Sequence, residues 1–213
     1  MAQAEHYLAV GDIHGMYDKL ESVLTGLAPT MPSGTRLVFM GDYVDRGPQA
    51  RQVIDRLIRL KNERPDTVLL MGNHERMLLN AYDGGDLMLW MTNGGDDTLA
   101  SYGLKKHEID KLPLEHIEFL RSLELIYETD DYIFVHAGLR PGVPVHKQNE
   151  NDLLWIREAF FLTEPTWDKT VVFGHTPFPS PFRRPGMIGI DTGAAYNNKL
   201  CCLELPGEVF HRI

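Results

Sequence analysis

The sequence predicts an α/β fold built around a parallel sheet buried between layers. Three observations carry this. Short apolar runs at residues 7–10, 37–40 and 68–71 each stop at a glycine (Gly11, Gly41 and Gly72). Between them lie two helix-length stretches with apolar residues at helical spacing, and beyond Glu124 the pattern turns to strands. Apolar strands that alternate with helices are those of a parallel sheet covered on both faces.

Each element has its own signal. After the first strand, Leu20, Val23, Leu24 and Leu27 recur at i, i+3, i+4 and i+7, the stripe of an amphipathic helix. Gly47-Pro48 opens a second helix with proline in its first turn, where no intrahelical N–H is missed, and Val53, Ile54, Leu57 and Ile58 form its apolar face. Residues 83–98 are rich in Gly and Asp and read as a loop, with turn signals at Gly84-Gly85 and Asn93-Gly94-Gly95. A helix follows over 113–123, with Ile117, Leu120 and Leu123 on one side. Strands are expected at 125–128, 132–135, 171–173, 187–190, 200–205 and 209–213, and a partly buried helix over 152–161. Pro177, Pro179, Pro181 and Pro185 mark a surface loop. With no repeat or linker, the expected organisation is one domain spanning 1–213.

The 213 residues carry 21 Lys+Arg against 30 Asp+Glu, a formal charge of −9, with 43% hydrophobic and 24% charged residues. These are globular proportions and exclude a disordered or fibrous chain. The acidic balance argues against nucleic acid and anionic membranes as partners, since both call for a basic surface. A phosphorylated substrate stays open, because a few cations in a cleft can outweigh the net charge. Cys201 and Cys202 are neighbours, which does not suit a disulfide. No apolar run approaches the roughly 20 residues of a membrane span, and the N-terminus lacks a signal-peptide pattern. The expected location is cytoplasmic.

Polar residues that bind metal or move protons collect just after the strands. They are Asp12 and His14 in GDIHG, Asp42, Asp45 and Arg46 in GDYVDRG, Asn73 and His74 in GNHE, His136 in HAG, and His175 in GHT. Open α/β sheets place their sites at that edge, where the loops leaving parallel strands converge. Carboxylates, an amide oxygen and imidazoles without thiolates suit Mn, Fe or Zn. The donors outnumber the positions around one ion, and two ions sharing a carboxylate would use them all.

In that order, the five clusters resemble the phosphoprotein phosphatase family of calcineurin-like metallophosphoesterases, above all its short bacterial and phage members. LLWIRE and IDTGA extend the likeness, which runs from Val10 to Ala194. The resemblance implies a β-sandwich of mixed sheets flanked by helices, in α-β-β-α layers. It also implies two divalent metal ions, one held by Asp12, His14 and Asp42 and the other by Asp42, Asn73, His136 and His175. In that family's chemistry a hydroxide shared by the metals attacks phosphorus in line. His74 would protonate the departing oxygen, Asp45 would orient His74, and Arg46 and Arg157 would clamp the phosphate. The substrate would be a phosphorylated protein, Ser/Thr first and Tyr second, or a small phosphoester. The chain has HAG where eukaryotic members have HGG.

Other readings stand beside these. Taken singly, Asp12, Asp42 and Asp45 also suit turns and helix caps. Arg157 could pair with Glu158 or Glu150, and Arg140 in HAGLRP could flank the pocket without touching substrate. Asp191 in IDTGA suits orienting a ligand or capping a turn. Symmetrical hydrolysis of bis(5'-nucleosyl) tetraphosphates is the competing activity. Its enzymes typically read GDLVARG, with alanine where this chain has Asp45. A catalytically silent scaffold is the further alternative, and the presence of His74 and every implied ligand argues against it.

Overall fold

The computed structural model describes residues 5–213. Met1–Ala4, on which part of the expectation about the N-terminus falls, lie outside the described residues. Two five-stranded sheets face each other. The first runs β10-β9-β1-β2-β3, with β1 (Tyr7–Val10), β2 (Arg36–Phe39), β3 (Val68–Leu69), β9 (Cys201–Leu205) and β10 (Val209–Arg212). The second runs β4-β5-β6-β8-β7, with β4 (Ile126–Glu128), β5 (Tyr132–Val135), β6 (Thr170–Phe173), β7 (Phe182–Arg184) and β8 (Met187–Gly189). β1, β2 and β3 are parallel, as are β5, β6 and β8, while β9, β10, β4 and β7 close the sheets with antiparallel pairs.

The layering follows from the period of two along each strand, which sends successive side chains to opposite faces. Tyr7, Ala9, Val38 and Met40 from the first sheet meet Phe134, Val172 and Ile188 from the second in a core between the sheets. The alternate residues Leu8, Val10, Leu37 and Phe39 turn outward under helices. α1 (Tyr17–Ser22), α2 (Ala50–Glu63), α3 (Asn73–Tyr82) and α6 (Leu114–Arg121) supply that cover through Leu20, Ile54, Leu78 and Leu120. On the far side Ile133, Val135, Val171 and Phe173 pack against Leu153 and Phe160, from α7 (Glu150–Trp155) and α8 (Glu158–Phe161). This is the α-β-β-α sandwich that the motifs imply.

Three expectations need correction. Residues 83–98 are largely helical: α4 (Leu87–Trp90) runs through a wide turn over Met91–Gly95 into α5 (Asp96–Ser101). Gly94, at φ 101°, makes the kink, and burial of Trp90 and Leu99 gives the segment the apolar anchor that its glycines hide in sequence. The single helix over 152–161 is two short ones, broken at Ile156 and Arg157, where the backbone leaves helical angles. The proline-rich loop contains β7, an edge strand bracketed by Pro181 and Pro185, where a missing N–H costs no ladder bond. Among the described residues no helix is long and apolar enough to cross a membrane. Cys201 and Cys202 are free and buried, and burial pushes the Cys201 thiol up to about 12.

Candidate metal centre

The parallel strands of both sheets end at one edge, and the loops leaving them meet there. Asp12 and His14 follow β1, Asp42, Asp45 and Arg46 follow β2, Asn73 and His74 open α3 just after β3, His136 follows β5, and His175 follows β6. The loops are cross-tied by backbone. The N–H groups of Ile13 and His14 donate to Asp42 O at 3.1 and 2.8 Å, and His175 N–H donates to Asp12 Oδ2 at 2.9 Å. Among the described residues seven non-glycine residues have positive φ, and five of them are His14, Asp42, Asp45, Arg46 and His175. Backbone held in that costly region at one place, and so rarely elsewhere, marks a site whose geometry is imposed by its surroundings.

Side chains that the motifs name converge, with His74, and not Asp12, completing the donor group around His14 and Asp42. Asp42 faces both ways: its Oδ2 lies 3.4 Å from His14 Nε2 and its Oδ1 lies 3.5 Å from His136 Nε2. Asn73 Oδ1 lies 3.0 Å from His136 Nε2 and 2.8 Å from His175 Nδ1. Donor atoms of Asp42, His136 and His175 fall within 4.8 Å of one another, and so do those of His14, Asp42 and His74. Asp42 is common to both groups, the arrangement of a carboxylate shared by two ions. Asp12 Oδ1 and His175 Nε2 are buried with no hydrogen-bond partner, which a coordinated cation would satisfy.

The electrostatics sort the histidines. Burial lowers the imidazole of His14 to about 3, that of His175 to about 2, and that of His136 as well, so all three are neutral lone-pair donors at neutral pH. Burial alone would lower His74 too, but the charges of Asp42 and Asp45 outweigh it, and its pKa is raised. His74 thus holds its proton to higher pH than the other three. Burial would raise Asp42, yet the surrounding imidazoles hold it below the usual carboxylate range. Asp12 is pushed well above that range by burial and by the charges of Asp191 and Asp42. Three carboxylates so crowded call for positive charge among them, and the donor set fits divalent cations.

His74 Nδ1 lies 2.7 Å from Asp45 Oδ2, which leaves Nε2 facing Asp42 at 3.9 Å. Arg46 reaches into the same pocket, its Nη1 2.6 Å from His14 Nε2 and its guanidinium 5.4 Å from the ring centre of Tyr196. Arg157 occupies the break between α7 and α8 with an exposed side chain. Its charge contributes to lowering His136 and His175. Glu150, one of its alternative partners, pairs instead with Arg76 at 2.6 Å. Arg140 is tied to Asp152, with Nε 3.1 Å from Oδ2. Asp191 is buried and caps a turn by accepting the N–H of Gly193 at 2.8 Å.

Three residues at this centre carry no mark in the motif reading. Glu75 takes four backbone N–H bonds, from Asp42 (2.9 Å), Tyr43 (2.7 Å), Val44 (3.2 Å) and Gly72 (2.9 Å), and so fixes the turn bearing Asp42. Its position three residues after the cap of α3 is a signal that could have found it. Trp90 and Thr98 bind the Asp45 carboxylate from α4 and α5. Nothing in a glycine-rich stretch points to them.

Comparisons with known proteins agree with this geometry. The calcineurin-like phosphoesterase family matches residues 6–201. The chain is 30% identical to serine/threonine-protein phosphatase 2 of Escherichia coli, over 92% of this chain and 90% of that protein. It is 28% identical to the asymmetrical bis(5'-nucleosyl)-tetraphosphatase PrpE of Anoxybacillus flavithermus, over 94% and 90% of the two chains. The crystal structure of a cold-active protein tyrosine phosphatase shares the fold, with a TM-score of 0.72 at 20% identity over 99% of this chain and 76% of that one. With a family match over nearly the whole length and five ordered motifs drawn to one edge of the sandwich, the chain belongs to the calcineurin-like phosphoesterases, within the phosphoprotein phosphatase family that its motifs resemble.

Proposed function

We propose that this chain hydrolyses phosphomonoesters, with phosphoserine and phosphothreonine side chains of proteins as the leading substrates and phosphotyrosine next. The observation that carries the reading is the buried pair of Asp45 and His74, with its second imidazole nitrogen turned toward Asp42. An alkoxide is a poor leaving group and departs well only if it is protonated as the P–O bond breaks.

Asp12, His14 and Asp42 would hold one divalent ion, and Asp42, Asn73, His136 and His175 a second. Two such ions, Mn, Fe or Zn, would supply positive charge at the phosphate oxygens and acidify the attacking water. Arg46 and Arg157 would bind the remaining phosphate oxygens, the planar guanidinium matching their geometry. His74 Nε2 would give its proton to the ester oxygen as that oxygen takes the electrons of the breaking P–O bond. Asp45 would hold Nδ1–H throughout and stabilise the imidazolium beforehand.

Hydrolysis of a bis-nucleoside tetraphosphate is the second reading, and the relative named PrpE supports it. That name specifies asymmetrical cleavage, in place of the symmetrical cleavage set against the motifs. A parallel assay separates the two: protein stripped by chelation, reloaded with Mn²⁺, and given phosphopeptides or a dinucleoside tetraphosphate. The proposal expects no activity before reloading and faster turnover of phosphopeptide after it. Activity unaffected by chelation, or turnover confined to the dinucleotide, would refute it.

A further inference from the structure

Asp45 is held by more than its histidine. Trp90 Nε1 donates between the two carboxylate oxygens, 3.0 Å from each. Thr98 Oγ1 donates to Oδ1 at 2.7 Å and accepts the backbone N–H of Asp45 at 2.8 Å. The directions are fixed: the hydroxyl has one proton, and with its lone pair taken by the N–H, that proton goes to the carboxylate. Asp45, Trp90 and Thr98 are all 0% exposed, so neither partner can touch a substrate.

The segment that brings these donors is itself anchored. Arg46 N–H reaches Gly94 O at 3.4 Å, just before α5. Past Thr98, Ser101 Oγ donates to Thr98 O at 2.7 Å and accepts the N–H of Arg51 on α2 at 3.1 Å. One residue further, Tyr102 OH lies 2.7 Å from His116 Nδ1 on α6, and His116 Nε2 lies 3.1 Å from Asp55 on α2. α5 is thus tied to α2 and α6 immediately beyond Thr98.

We propose that Trp90 and Thr98 are positioning residues for the proton transfer: they clamp the Asp45 carboxylate in the one plane in which Oδ2 receives His74 Nδ1–H and Nε2 presents its proton to the leaving oxygen. The inference rests on the acid role read above for His74. A carboxylate bonded at one oxygen turns freely, because the terminal torsion of aspartate is broad. With Oδ1 on Thr98 and both oxygens on Trp90, any turn breaks hydrogen bonds where no water can replace them. Both donors are neutral. They stabilise the anion without a second cation competing for it, which an arginine in either place would be.

The test uses the full chain at saturating Mn²⁺. Thr98→Val keeps the shape and removes the hydroxyl, Thr98→Ser restores it, and Trp90→Phe removes the indole N–H. Thr98→Val is expected to lose about tenfold in kcat on phenyl phosphate and less than about twofold on dinitrophenyl phosphate, with KM unchanged, because only the poor leaving group depends on the acid. Thr98→Ser should return to within about threefold of wild type, and in a His74→Asn background Thr98→Val should cost less than about twofold. A second readout is the His74 Nδ1–H proton resonance, expected to move upfield in Thr98→Val and return in Thr98→Ser. Should Thr98→Val fold poorly, Trp90→Phe is expected to show the same dependence on leaving group. Equal losses on both esters, a loss undiminished without His74, or an unmoved resonance would overturn the proposal. A steep leaving-group dependence in His74→Asn beside a flat one in Thr98→Val would remove the clamp alone. A flat one in His74→Asn would remove the acid role, and the clamp with it.

Discussion

Arg46 Nη1 lies 2.6 Å from Nε2 of His14, a residue that the motifs assign to a metal ion. His14 Nδ1 is 2.8 Å from Val44 O and must donate to that carbonyl, so Nε2 carries a lone pair and the guanidinium donates to it. A guanidinium and a divalent ion cannot share one lone pair. Arg46→Ala should therefore tighten Mn²⁺ binding in calorimetry while weakening inhibition by inorganic phosphate about tenfold, since a charge-assisted clamp is lost. Unchanged phosphate inhibition would remove the clamp role, and weaker Mn²⁺ binding would contradict the competition.

His74 is the one imidazole of the four whose pKa is raised, through Asp42 and Asp45 acting against burial. His74→Asn should cut kcat on a phosphoserine peptide about a hundredfold and on dinitrophenyl phosphate by less than about tenfold. Metal analysis should still return about two ions per chain, because the assigned ligands are untouched. Comparable losses on both esters would contradict a proton donor, and loss of an ion would make His74 a ligand.

Metal affinity should rise with pH, and carboxylates should set the slope. Burial and the charges of Asp191 and Asp42 raise Asp12 well above the usual range, and burial lifts Asp191 to about 6. Asp191 therefore retains a proton at mildly acidic pH, and Asp12 holds its proton to higher pH than an ordinary carboxylate, so a cation binding there must displace it. His14 and His175, at about 3 and about 2, carry no proton there and add no slope. The sign follows: the Kd for Mn²⁺ should fall by about tenfold or more between about pH 5 and pH 7, with proton release seen when calorimetry is repeated in buffers of different ionisation enthalpy. A Kd flat across that range would contradict the shifted carboxylates.

The side chains proposed to bind metal were legible in sequence because each sits in a short motif at the end of an apolar strand. Asp12, Asp42, Asn73, His136 and His175 need only that the strands be parallel and adjacent, which their periodicity indicates. What surrounds them was not legible. Trp90 and Thr98 act on Asp45 across 45 and 53 residues of chain, from a stretch whose glycines and aspartates outweigh its few apolar anchors in any local window. The break at Arg157 escaped for a related reason. The apolar residues on either side of it, Leu153, Leu154, Phe160 and Phe161, keep a helical spacing, so nothing in the local pattern marks the break between them.

Gly174 and Gly72 separate a defect of the centre from a defect of the fold. A Cβ at Gly174 would lie 2.1 Å from Asp12 Oδ1 and 3.2 Å from its Cγ, with no backbone in the way. Asp12 can yield by turning its carboxylate, at the cost of the bond that His175 N–H makes to Oδ2. A Cβ at Gly72 would lie 2.4 Å from the backbone nitrogen of Asp42 and 2.1 Å from its Oδ1, and that backbone is pinned by Glu75. Gly174→Ala should thus fold with a Tm within about 3 °C of wild type, a shift worth about 1 kcal/mol, yet bind about one Mn²⁺ in place of two. Gly72→Ala should lose about 3 kcal/mol or more in urea unfolding, because overpacking against fixed backbone has no side chain to absorb it. If both variants were equally unstable, or Gly174→Ala kept its full metal content, Asp12 would not be the ligand its position implies.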